Sequence, residues 1–196
     1  MEKNILSTLT KEEQSYLQVK TFKKGTFLFK EGELCLNLAI VVSGQVKISS
    51  VHYSGDEVVF NVLNKGDIFG NNLIFSDSPR YKGDVFALEE SIIVLISKKN
   101  LVKILQSNKD FLLLYLNIQS NFGKKLNSTI KMLSFSSAEE RFRFYLRENG
   151  NNISYRSVTE LAEILHLQRE TLSRVLTKLE KENIVRRSPH KIISLS

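Results

Sequence analysis

The sequence predicts an α+β chain in three successive parts: a compact antiparallel β-roll of the jelly-roll type, one long helix, and a small helical domain carrying a helix-turn-helix and a hairpin wing. Three observations carry this. Between Phe22 and Ile96, short β-branched and aromatic runs are separated by glycines at regular intervals. The only prolines are Pro79 and Pro189, so no proline interrupts the helical texture that begins after Ile96. From Ser157 to Arg187 the chain reads SVTELAEILHLQRETLSRVLTKLEKENIVRR, two apolar helical stripes with a tight joint between them. The expected boundaries are 1–107 for the roll, 108–135 for the long helix and 136–196 for the helix-turn-helix domain.

Taken in order, Leu6, Leu9, Tyr16 and Leu17 suggest one or two small helices packed on the first domain. Strands are expected over Thr26–Phe29, Leu38–Val42, Gln45–Ser49, Val58–Leu63 and Ser91–Ile96, with Gly25, Gly32, Gly44, Gly55 and Gly66 at the joints. A helix from Lys98 to about Gln106 covers the roll. Asp110 favours the start of the next helix, which runs to about Ser134, some ~35 to 40 Å at 1.5 Å per residue. That helix has more apolar surface than a small roll can cover. Leu112, Tyr115, Gln119, Phe122, Leu126 and Leu133 fit the seam of a two-stranded coiled coil, and Gly123 would let a partner approach; the alternative is a helix packed along its own roll. Phe135-Ser136-Ser137 reads as a hinge, and Ser137 with Glu140 makes a capping box for a helix through about Leu146, whose Phe142, Phe144, Tyr145 and Leu146 supply core. The polar loop Asn149–Asn152 follows.

In the helix-turn-helix, Val158, Leu161, Ala162 and Leu165 form the first buried stripe, and Ser157 with Glu160 is an S-x-x-E capping box. Leu172, Val175, Leu176 and Leu179 form the second, which turns Arg169, Glu170, Ser173 and Arg174 away from the core near a helix start. Arginine forks onto guanine O6 and N7, glutamate accepts from the cytosine amino group, and a helix N-terminus attracts phosphate. These residues suit base reading. Ile184 to Ile193 then reads as a β-hairpin with a basic tip. Gln168-Arg169-Glu170-Thr171-Leu172-Ser173-Arg174-Val175-Leu176, followed by Leu179-Glu180 and Asn183-Ile184, resembles the recognition helix of the cyclic-AMP receptor protein/FNR (Crp/Fnr) family of bacterial transcription regulators. The resemblance implies base contacts by Arg169, Glu170 and Arg174, and phosphate contacts by Gln168 and Thr171. Two residues depart from the family pattern: His166 stands where the turn usually has glycine, and Gln168 replaces a small hydroxyl at the helix cap. Histidine tolerates the left-handed region better than most residues, so the joint is expected to survive.

Phe29-Lys30-Glu31-Gly32-Glu33, Val42-Ser43-Gly44-Gln45-Val46 and Gly66-Asp67-Ile68-Phe69-Gly70 resemble the cyclic-nucleotide-binding β-roll of the same family, so the likeness covers nearly the whole chain. By position, Tyr81 stands at the family's phosphate-pairing arginine, Lys82 at its serine or threonine, and Asn71 at its ribose-binding glutamate. Arg80 is one residue out of register, which on a strand aims it to the opposite face. A cyclic phosphate needs a paired cation and several donors, and these four residues form at most a degenerate effector pocket. The roll is then empty, or binds another small molecule, or is fixed in its active arrangement without one. Cyclic AMP and cyclic GMP are not expected as effectors.

Composition excludes much else. With 196 residues and 42% hydrophobic content the chain can build one large or two small cores. No transmembrane run and no secretory block at the start are seen, which points to the cytoplasm. A single cysteine, Cys35, rules out an internal disulfide and any four-cysteine cluster of the FNR type. Cys35 is expected as a half-buried thiol at a turn; no spacing supports haem ligation by Cys35 and His52, and no metal or cofactor is expected. His166 and His190 build no catalytic set, and paired acids such as Glu12-Glu13, Glu89-Glu90 and Glu139-Glu140 read as solvated charge, so an enzyme is not expected. The net charge of +7 suits a polyanion, but Ser137–Ser196 holds 11 Lys and Arg against 8 Asp and Glu, which leaves the basic excess spread along the chain. The reading is a homodimeric regulator binding an inverted repeat in double-stranded DNA, with RNA polymerase implied as a partner and a small-molecule effector left open. The alternative of another class is a sensory module whose helical C-terminal domain contacts a protein.

Overall fold

The computed structural model describes residues 5–51, 55 and 57–195, and the chain divides into two units, one through Ser120 and one from Asn121. His52 lies outside the described residues.

The first unit begins with a 3-10 turn over Ile5–Thr8 and helix α1 (Lys11–Gln14), where Thr10 and Glu13 form a capping box. Among the described residues eight strands follow: β1 (Leu17–Phe22), β2 (Phe27–Phe29), β3 (Asn37–Ser43), β4 (Val46–Val51), β5 (Glu57–Leu63), β6 (Ile68–Phe69), β7 (Asp84–Ala87) and β8 (Ser91–Ser97). They pair antiparallel into two four-stranded sheets, in the orders β1-β8-β3-β6 and β2-β7-β4-β5. Leu38, Ala39, Ile40 and Val41 of β3 are all buried, which is why this strand reads as a continuous apolar run instead of an alternating one. The expected strands are all present. Leu17, expected in a small helix, instead opens β1, an edge strand whose exposed Lys20 and Thr21 hide its pattern. Gly44 adopts a φ of 87°, and an added Cβ would stand 2.2 Å from the Ser91 Oγ, so only glycine fits that turn.

Helix α2 (Lys98–Ser107) is capped by Ser97 and buries Leu101 and Ile104 on the roll. Helix α3 (Lys109–Leu133) starts one residue before the expected Asp110; the Asn108 side chain accepts from the Phe111 amide at 2.9 Å and so serves as its cap.

The second unit contains the end of α3, then α4 (Ala138–Glu148), β9 (Asn152–Ser154), α5 (Val158–Ile164), α6 (Arg169–Lys181), β10 (Val185–Ser188) and β11 (Lys191–Ser194). Ser137 and Glu140 form the expected capping box. Ser157 does cap α5 by accepting from the Glu160 amide, but Glu160 turns to the Arg156 amide at 2.6 Å, so only half of the second expected box is made. Phe142, Leu161, Leu165, Leu172, Leu176, Leu179 and Ile192 are buried to within 1% and form this unit's core. The three strands make a small sheet in the order β10-β11-β9.

Candidate nucleic-acid interface and the interior of the roll

The joint between α5 and α6 is a tight C-terminal cap. His166 takes a φ of 51°, its amide donates to the Glu163 carbonyl at 3.0 Å, and the Leu167 amide donates to the Ala162 carbonyl at 2.9 Å. This is the Schellman pattern, and it satisfies carbonyls that α5 would otherwise leave open. Placing a β-substituted residue in the left-handed region costs about 1–2 kcal/mol, which the two bonds and the buried Leu165 offset. Gln168 is the N-cap of α6 but makes no side-chain cap bond, leaving its amide group and the first helical N–H groups open to a ligand.

Arg169 and Glu170 are exposed at the start of α6, 3.9 Å apart, and Arg174 lies exposed one turn further. Thr171 is half-buried. Ser173, Arg174, Thr177, Lys178, Lys181 and Glu182 line an open groove further along the helix. Lys178 is held by Glu139 of α4 at 2.8 Å, and that bond raises the ammonium and lowers the carboxyl from their ordinary values. The wing is the β10–β11 hairpin, closed by Pro189-His190 with His190 at a φ of 61°. Its Arg187 pairs with Glu180 of α6, which lowers that carboxyl and ties the wing to the helix; Arg186 and His190 remain exposed. Sequence reading missed this pair because the partners lie on different elements. From Asn121 onward there are 14 Lys and Arg against 8 Asp and Glu, so the basic excess sits largely in this unit once the end of the long helix is counted with it, not spread along the chain.

The expected effector residues do not converge. Along the segment before β7, Arg80 faces out and donates to the Gly32 carbonyl at 2.7 Å, Tyr81 faces in, and Lys82 is exposed, the alternation of an extended backbone. The Tyr81 ring is 4% exposed and stacks on Phe29 with centroids 4.6 Å apart and an interplanar angle of 16°. Its hydroxyl makes no well-formed hydrogen bond among the described residues but lies against the Cys35 thiol and interacts with it, and burial first, then this thiol, pushes its pKa far up. Cys35 is 1% exposed, fully buried rather than half-buried, because Gly70 closes over its sulfur. Asn71 is also buried. Its side-chain amide donates to Gln119, and its carbonyl accepts from the Gln119 amide at 2.8 Å and the Tyr115 hydroxyl at 3.2 Å. No group of three or more metal-type ligands occurs among the described residues.

These bonds also correct the expected seam on α3. Tyr115 is 4% exposed and Gln119 is bonded to Asn71, so both face the roll of their own chain. Leu112 is half-buried, while Phe122, Leu126 and Leu133 are exposed, together with Leu113, Leu116 and Ile130. The first half of the helix thus packs on its own roll, as one of the two alternatives expected, while the second half leaves Phe122, Leu126, Ile130 and Leu133 exposed.

A β-roll followed by a long helix and a winged helix-turn-helix with an open second helix is the architecture of a DNA-binding transcription regulator. Residues 19–108 match the cyclic nucleotide-binding domain and residues 147–191 match the MarR family. The chain is 26% identical to the cyclic AMP receptor protein of Thermus thermophilus, across 89% of this chain and 82% of that protein. It is 26% identical to the anaerobic regulatory protein of Bacillus subtilis, across 85% of this chain and 74% of that one. Among solved structures, a CooA variant from Carboxydothermus hydrogenoformans shares the fold with a TM-score of 0.73 at 21% identity, over 100% of this chain and 93% of that chain. Over most of its length the chain is similar to transcription regulators of the Crp/Fnr family. Those relatives are transcription regulators, and the helix-turn-helix described above is the DNA-binding element of a regulator of that type. No helix among the described residues is long and apolar enough to cross a membrane.

Proposed function

We propose that this protein acts as a cytoplasmic homodimer that reads an inverted repeat in duplex DNA and does so without cyclic AMP. The observation that carries the DNA reading is the exposed start of α6, where Arg169, Glu170 and Arg174 stand clear of the core beside free helix N–H groups. Gln168 and Thr171 serve as phosphate contacts in this reading. A two-fold protein requires a two-fold site with half-sites about one helical turn apart. The dimer reading draws support from the exposed apolar residues Leu126, Ile130 and Leu133 at the end of α3, at the 4-3 spacing of a coiled-coil seam. RNA polymerase is the partner through which such a dimer would act. The functional parts are 1–107, 108–135 and 136–196.

Independence from cyclic AMP is supported by the interior of the roll. Tyr81 fills its position with a neutral ring, Asn71 is spent on the long helix, and Arg80 and Lys82 point to solvent. A cyclic phosphate would meet no cation there and would remain unpaired in a low-dielectric site. Calorimetry with cyclic AMP and cyclic GMP tests this directly. No heat of binding at millimolar nucleotide is expected, and micromolar binding by either would overturn it.

A further inference from the structure

Arg141 stands on the first turn of α4 and reaches in two directions. Its Nε donates to the Phe135 carbonyl at 3.0 Å, and its Nη1 donates to the His166 carbonyl at 3.3 Å. Phe135 belongs to the stretch that leaves α3, and His166 is the left-handed residue that ends α5. Both carbonyls lie just past a helix C-terminus, where the backbone is partially negative and a cation is favoured. The side chain is half-buried, and its planar fork is what allows one group to serve two carbonyls at fixed angles. A lysine has one donor point and reaches only one of them.

We propose that Arg141 is the positioning residue of the helix-turn-helix: it ties the joint between α5 and α6 to the end of the long helix, so that α6 meets DNA at a set angle. The inference rests on α6 being the DNA-reading helix. Its consequence falls on discrimination more than on attraction. Attraction to phosphate comes from many charges and tolerates a loosened helix, whereas a forked contact to a base edge is lost on a small shift.

The test uses the full chain and a duplex selected from a randomised pool by the wild-type protein, with a scrambled duplex as control. Binding is read by fluorescence anisotropy, and folding by thermal melting. For Arg141→Gln and Arg141→Lys, affinity for the selected duplex should fall about tenfold, the order of one lost hydrogen bond to a charged group, while affinity for the scrambled duplex stays within about twofold. Arg141→Lys should show this at an unchanged melting temperature, which separates positioning from folding. A wild-type ratio between the two duplexes in Arg141→Lys would overturn the proposal. So would a parallel loss on both duplexes that tracks the melting temperature. If the wild-type chain itself shows no preference between the duplexes, the DNA-reading premise fails first and the proposal falls with it.

Discussion

Arg174 and Tyr81 show how differently two single residues carry this molecule. Arg174 is exposed on α6, and in the proposed reading its energy is realised on DNA. Arg174→Ala should cost about 1 to 3 kcal/mol on the selected duplex and relax discrimination at one base pair, measured by anisotropy across single-base variants. Equal weakening on every sequence would instead assign Arg174 to phosphate. Tyr81 is the opposite case, a buried ring whose hydroxyl has only the weakly hydrogen-bonding Cys35 thiol beside it. Removing such a group relieves a desolvation cost, so Tyr81→Phe should leave the melting temperature unchanged or raise it. A loss of more than about 1 kcal/mol would mean that the hydroxyl has a partner such as ordered water. Both positions were legible in the sequence, Arg174 from helical spacing and Tyr81 from the residue it replaces. What the sequence did not carry was the partner of each buried polar atom. Asn71 looked like a failed ribose contact, and only the fold shows its backbone carbonyl held by Gln119 and Tyr115.

Among the elements, α3 depends most on which of its faces is considered. Its spacing was readable, but the same heptad positions serve the roll in its first half and stand free in its second, and periodicity alone does not separate those environments. Leu126 is half-exposed in the single chain, so Leu126→Glu should be tolerated by the fold yet bury an unpaired charge in a seam, a cost of about 3–5 kcal/mol that separates subunits. Sedimentation measures this, and a variant that stays dimeric contradicts the seam. At the other end of the roll, burial raises the Glu13 carboxyl, but the Thr10 amide and the Asn108 and Ser107 side chains outweigh it and leave its pKa lowered. A lowered carboxylate stabilises the fold fully above its unfolded pKa and loses that contribution as pH falls through the folded one. The acid side of the stability curve should therefore flatten in Glu13→Gln across that window, and an unchanged acid profile in chemical denaturation would refute it.

The whole molecule joins a β-roll whose interior is filled by its own side chains to a helix-turn-helix whose second helix begins on exposed charged residues. Strand texture, helix length and the wing were legible because each is a local pattern. The edge strand β1 was not, because exposed lysine and threonine break its pattern, and the concentration of charge beyond Asn121 emerged only once the long helix was divided between two units. The account makes DNA binding a property of the chain without a nucleotide. The measurement that tests this most directly is anisotropy of the selected inverted-repeat duplex against purified protein, across a salt series, with and without millimolar cyclic AMP. The account predicts a dissociation constant of about 10⁻⁸ M or tighter near physiological salt, weakening steeply as salt rises and identical with and without the nucleotide. Sequence-selective binding that appears only when cyclic AMP is added would contradict it.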